Sequence, residues 1–283
     1  MASNEMWMGP RGGECWVPAG TVGNMQTPVG WSGGTTGLNG GFTGRRSKNT
    51  HMEYTLGWIK KSRNRLRPVN DMYAGTRGPG LIYFIDPMAA DLNVLPMAWS
   101  FPALATYDAP PIVGDVRPSR VPTPENGLNY PRESALYTGT GTSRKLYIPI
   151  PPGYSAWFGV HGYSSGTGGV CVTPLRRSGN PDADVFPPII DVNDPTRVNV
   201  SFASADYTGI EVSFKGNAST SVAWAGTICQ ILPDGVTPTQ GDFISGQGHS
   251  GCEFASAPQV TAESAALDKQ SMVVKLNEVG DSQ

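Results

Sequence analysis

The chain has 283 residues, a formal net charge of −2, 16% charged residues and 39% hydrophobic residues. That length accommodates one large or two ordinary domains with a sizeable core, and the near-neutral balance excludes both a basic field over the whole chain for holding nucleic acid and an acidic bias toward disorder. Glycine and proline contribute 36 and 25 residues, about a fifth of the chain where about 12% is ordinary, so short elements joined by many turns are expected.

From the beginning, residues 1–10 lack the charged-then-apolar pattern of a secretion signal, and no apolar run approaches the length of about 18 residues that spans a bilayer. Synthesis and folding in a cytoplasm, with no membrane insertion, are expected. The first clear strand is residues 51–58, where Met52, Tyr54, Leu56 and Trp58 share one face. It sits in the most basic stretch of the chain, where Arg45, Arg46, Lys48, Lys60, Lys61, Arg63, Arg65 and Arg67 face the single acid Glu53. Because Tyr54 and Trp58 belong to the apolar face, these charges read as flanking a strand and the turn after it, not as a nucleic-acid groove.

Residues 81–85 form a short apolar run ended by Asp86-Pro87 and read as a buried strand. Helix signals are sparse. Residues 86–94, with Asp86 as N-cap and Pro87 just inside, and residues 262–269 could each give two turns. Five prolines mark residues 109–126 as an extended connector. Strands then recur at 145–150, 156–161, 169–173, 197–202, 209–215, 222–232 and 270–279, with turn residues between most of them. Regular short strands without crossover helices predict an antiparallel sandwich or jelly roll.

Chemistry is scarce. Gly248-His249-Ser250-Gly251-Cys252 approaches a G-x-S-x-G nucleophile elbow, but Cys252 replaces the last glycine and no strand–turn–helix surrounds it, so a glycine-rich turn is expected. His249 and Cys252 have half of a zinc spacing and no second pair. Cys15, Cys171, Cys229 and Cys252 are scattered; the two inside strand-like runs, Cys171 and Cys229, read as small buried thiols. In the loop 176–195, Asp182, Asp184, Asp191 and Asp194 offer hard oxygen atoms that calcium could use, but their order is not that of an EF-hand and Asp-Pro pairs mark turns. No enzyme activity, cofactor or metal is expected. Among the aromatics of the second half, Trp157 and Trp224 lie inside strands and read as core, whereas Tyr163, beside Ser164-Ser165-Gly166, is the candidate glycan contact.

Several stretches have a familiar look. Trp7-Met-Gly-Pro10, Trp16-Val-Pro-Ala19, Arg45-Arg-Ser-Lys48 and the segment from Glu53 to Val69 resemble minor tail proteins of long-tailed phages infecting actinobacteria. The most specific block runs from Gly80 through Asp86-Pro-Met-Ala-Ala-Asp-Leu-Asn-Val-Leu-Pro96 to Trp99. Phe243 to Cys252, Ser264 to Asp268 and Asn277 to Gly280 resemble the end of the same family, although here Asp281-Ser-Gln283 follows where members often finish on an aromatic.

The resemblance, close to the distal tail protein, implies a mostly β fold. A belt-type β-barrel or sandwich domain (residues 1–128 with 240–283) would carry an inserted galectin-like or carbohydrate-binding-like antiparallel β-sandwich (129–239). It implies a virion tail-tip protein, assembled in the bacterial cytoplasm, whose copies form a six-fold ring or hub. The expected partners are the tail tube protein, the tape-measure protein and other tip proteins. The alternative is a module binding glycans of the host cell envelope. Arg45, Arg46, Lys48, Arg63, Arg65 and Arg67 are the candidate interface residues, because residues 242–283 carry the opposite charge and could meet them within one chain or between copies.

Overall fold

The structure, a computed structural model, describes residues 5–20, 22–36, 42–100, 116–119, 134–137, 141–142, 145–161, 169–185, 199–216, 222–238, 244, 246–264 and 268–279. Glu5–Pro10 (β1) and Cys15–Pro18 (β2) form a hairpin with Trp7 opposite Trp16. Val22–Thr36 (β3) and Phe42–Ser62 (β4) form a longer one. The helix Arg63–Tyr73 (α1), the strand Ile82–Ile85 (β5) and the single turn Met97–Ser100 (α2) complete the first part. Val116–Ser119 (β6), Ser134–Tyr137 (β7), Gly141–Thr142 (β8), Leu146–Pro149 (β9), Tyr154–His161 (β10), Gly169–Arg176 (β11), Asn199–Ala203 (β12), Tyr207–Gly216 (β13) and Val222–Pro233 (β14) follow. Cys252–Phe254 (β15), Gln259–Ser264 (β16) and Lys269–Glu278 (β17) close the chain.

The fold is mostly β, as expected. One eight-stranded antiparallel sheet runs β2-β1-β5-β15-β17-β4-β3, with β16 beside β17, and curls into a half-barrel. Its alternation is the one visible in the sequence: Tyr54, Leu56 and Trp58 of β4 and Met272, Val274 and Leu276 of β17 are buried, while Val273 and Lys275 face out. The curl brings the Trp58 indole N–H to the Pro18 carbonyl at 2.6 Å, across four intervening strands in sheet order. α1 fills the concave side with Leu66, Val69 and Met72, which join Met6, Met8 and Val17 in one cluster. The turn between β16 and β17 holds the start of that helix, since the Asp268 carbonyl accepts the Arg63 N–H at 3.1 Å.

Two further antiparallel sheets, β12-β10-β14-β7-β6 and β11-β13-β8 with β9 beside β13, face each other. Between them lie Ala156, Phe158, Phe202, Cys229 and Ile231 from one side and Leu146, Ile148, Val172, Ile210 and Val212 from the other. This is the antiparallel sandwich that the strand spacing predicted.

Three expectations are corrected. Residues 63–73 form a helix where a turn was expected. Residues 86–94 are not a helix: Asp86 accepts the Met88, Ala89 and Ala90 N–H groups, as its capping role requires. The chain is then drawn away, because the Ala90 carbonyl accepts the Ile231 N–H at 2.7 Å and the Val94 N–H donates to Cys229 at 2.8 Å. Residues 262–264 end β16 rather than starting a helix, since pairing with β17 outweighs a weak local preference.

Candidate assembly surface

The glycine-rich segment is a packing device. The Gly248 N–H donates to the Leu95 carbonyl and the Gln247 N–H to the Asn93 carbonyl, so residues 246–248 run alongside 93–95. A Cβ on Gly246 would stand 2.2 Å from the Leu95 oxygen, and one on Gly248 would stand 1.8 Å from the Val94 oxygen. Only glycine permits this approach. His249 is buried, with its ring centroid 3.6 Å from that of Phe84 and 5.1 Å from that of Tyr54. Its Nδ1 lies 2.6 Å from the Ser250 carbonyl and its Nε2 lies 2.9 Å from the Phe84 carbonyl. Burial pushes its pKa below the ordinary value, opposed by those carbonyls and by the Glu278 carboxylate. Among the described residues no group of three His, Cys, Asp or Glu could hold a metal ion.

Asn93 is the centre of the 80–99 block. Fully buried, its Nδ2 donates to the Thr227 and Ile244 carbonyls, each at 3.0 Å. Its Oδ1 accepts the Leu95 N–H at 3.2 Å and the Cys229 N–H at 3.1 Å. One side chain thus joins the block to the sandwich strand β14 and to the returning C-terminal segment. Sequence reading passed it over; the only signal was a polar residue between apolar ones, Leu92 and Val94.

A second junction joins the β1–β2 turn to the sandwich. The nearly buried Glu211 accepts Arg11 at 2.7 Å and Lys145 at 2.6 Å. The Tyr147 hydroxyl donates to Glu14 at 2.6 Å, while the Arg11 guanidinium sits 5.2 Å from the centre of the Tyr147 ring. Burial raises the Glu14 pKa, offset in part by the Tyr147 hydroxyl. These charges are paired across a joint, an arrangement that fixes geometry. Glu278 does similar work at the end of β17: Oε1 accepts the Ser250 N–H and hydroxyl, and Oε2 accepts the Met52 N–H at 3.2 Å.

The basic residues divide into two groups. Arg63, Arg65 and Arg67 lie on the exposed side of α1, within reach of Asp268 at 3.8 Å, Glu5 at 2.6 Å and Asp71 at 3.8 Å respectively. Arg45, Arg46 and Lys48 lie along β4, with Arg46 opposite Trp31 and Arg45 opposite Ser32. The two groups are therefore at different places on one hairpin-and-helix unit. Tyr163 lies outside the described residues, as do Asp191 and Asp194. Asp182 accepts Arg176 at 2.7 Å and Asp184 accepts the Thr173 hydroxyl at 2.6 Å. The Ala183 N–H and the Arg176 guanidinium hold the Asp182 carboxyl below its usual range. Trp157 is half-buried rather than core, because its neighbours Ala156 and Phe158 take the inward face of β10. Trp7, Trp16 and Tyr154, also half-buried, form a ladder with centroids 5.2 and 5.9 Å apart.

No family model matches the chain, and no curated protein matches it. Among solved structures, the enzymatically active domain of bacteriophage CBA120 tailspike protein 4 is similar over 42% of this chain and 18% of that one, with 14% identity and a TM-score of 0.26. The infectious bursal disease virus VP2 subviral particle is similar over 97% of this chain and 75% of that one, with 11% identity and a TM-score of 0.25. Likenesses this loose carry no functional information. Among the described residues, no helix is long and apolar enough to cross a membrane.

Proposed function

We propose that this chain is a non-enzymatic structural component of a phage tail tip, forming a ring or hub that joins the tail tube to the tip proteins. The observation that carries the reading is the place of the 80–99 block, the stretch with the most specific resemblance to minor tail proteins. It is the keystone between the curled sheet, the sandwich and the C-terminal return, through β5, Asn93 and the 93–95/246–248 pairing. In this reading residues 1–128 and 240–283 are the belt and residues 129–239 are the sandwich it carries outward, with β6 of the first segment pairing into the sandwich sheet. Permanent assemblies of this kind bury more than about 2,000 Å² per interface. Electron microscopy of the purified chain and of virions tests the proposal. Rings, and density at the tail tip, are expected; density elsewhere on the virion without a ring overturns it.

The cluster of Trp7, Trp16 and Tyr154, each partly exposed, favours a second reading in which the protein also grips envelope glycan, since partly exposed aromatic rings offer apolar surface for sugar rings. Binding of the intact chain on a glycan array, lost in Trp16→Ala, would support it. An array with no signal would remove it.

A further inference from the structure

The pairing of β4 with β17 ends at Glu53 opposite Asn277. Beyond that point β3 and β4 continue as a pair, with Pro28 opposite Met52, Val29 opposite His51, Trp31 opposite Arg46 and Thr36 opposite Phe42. Among the described residues no other strand joins this outer ribbon. A two-stranded ribbon is marginally stable alone in water, so an arm of this length needs a surface to lie on.

The same sheet offers one at its other side. β16 pairs with β17 alone, and among the described residues its outer edge has no strand beside it. Residues 259–263 are exposed, with Val260 at 48%, and Gln259–Ser264 contains neither the lysine nor the proline that usually guards an open edge. Charge also matches. The arm, residues 28–36 and 42–52, holds Arg45, Arg46 and Lys48 and no acid, whereas the exposed Glu253 and Glu263 lie on β15 and β16.

Resting on the ring reading above, we infer that the β3–β4 arm of one copy lies along the β16 edge of the next. The contact adds backbone pairing to the open edge and sets the arm's cations against Glu253 and Glu263. One patch meeting a different patch is a heterologous contact, the kind that repeats around a cyclic ring. It also gives the open edge a designated occupant, which suppresses irregular edge-to-edge association.

Light scattering after gel filtration, with electron microscopy, tests the arm. The wild-type chain is expected to form rings. The triple variant Arg45→Glu, Arg46→Glu, Lys48→Glu and the double variant Glu253→Lys, Glu263→Lys are each expected to be monomeric, with association weakened about a hundredfold or more. Circular dichroism and Tm, the latter within about 2 °C of wild type, verify that both fold. Mixing the two variants restores complementary charge and is expected to restore rings. Hydrogen exchange supplies a readout free of variants: β16 amides exchange at least about tenfold more slowly in the ring than in the diluted wild-type monomer. Rings of the triple variant as strong as wild type, no restoration on mixing, or equal β16 exchange overturn the arm while leaving the ring intact. A wild-type chain that is monomeric in solution and ring-free at the virion tip overturns both.

Discussion

Asn93 uses every hydrogen-bonding position of its amide on four backbone groups, two N–H donors and two carbonyl acceptors, all in buried bonds except the part-buried one to the Ile244 carbonyl. Asn93→Ala strands four such groups, and at about 1 kcal/mol each the cost is about 4 kcal/mol. Asn93→Asp keeps the shape but aims a carboxylate at the Thr227 and Ile244 carbonyls, so at neutral pH it should be no better than alanine. Urea unfolding of the three chains checks both statements; an aspartate variant as stable as wild type would show that the amide donors matter little. Gly248→Ala places a methyl group against the Val94 carbonyl and should cost about 3 kcal/mol, the upper end for overpacking. His249 adds a pH dependence. Its folded pKa lies below the unfolded value of about 6.5, so the unfolded chain binds more protons in that window. Stability is therefore full above pH 6.5 and falls as the pH drops through the folded pKa. Tm measured from pH 7.5 to pH 5 should decline in wild type and decline less in His249→Gln.

At the scale of elements, α1 separates packing from charge. Leu66 is fully buried against the curled sheet, so Leu66→Ala should cost about 3 kcal/mol. Arg65→Ala removes an ion pair whose side chains are 54% and 40% exposed, and should cost under about 1 kcal/mol. Thermal unfolding of the two variants distinguishes them. The helix escaped sequence reading because its buried residues are only Leu66, Val69 and Met72, interrupted by Pro68 and surrounded by arginines. Its amphipathic spacing is present but short, and the basic run drew attention as charge. β1 to β3 escaped for another reason: glycine and proline break the alternation, and pairing with neighbours decides those strands. Strands β9 to β14 of the sandwich and β17 were legible because their apolar runs or alternation mark a buried face, whereas β6, β7 and β8 were not, and β6 lies in the stretch read as a connector. The keystone contacts were not legible. Asn93 and Gly248 lie more than 150 residues apart in sequence, and no local pattern records a partner at that distance.

For the whole molecule, the consequence lies in how the core is shared. The larger hydrophobic cluster does not stop at the sandwich: Ile85, Ala90, Val94, Leu95 and Trp99 pack with Phe158, Ile210 and Ile231. The junction of Arg11, Glu14, Tyr147, Lys145 and Glu211 crosses between the same two parts. The sandwich thus borrows one wall of its core from residues 85–99. Residues 129–239 alone would expose that wall and leave the Cys229 and Ile231 N–H groups without Asn93 and Ala90. The excised segment should therefore lose fixed side-chain packing, with weak near-ultraviolet dichroism and dye binding, while keeping strand content. The intact chain should unfold in one transition, with fluorescence and far-ultraviolet dichroism midpoints coinciding in urea, since neither part completes its core without the other. Two separated transitions, or a cooperative excised sandwich, would mean that the shared wall adds little. A single transition would mean that the sandwich and the curled sheet complete one shared, cooperatively unfolding core.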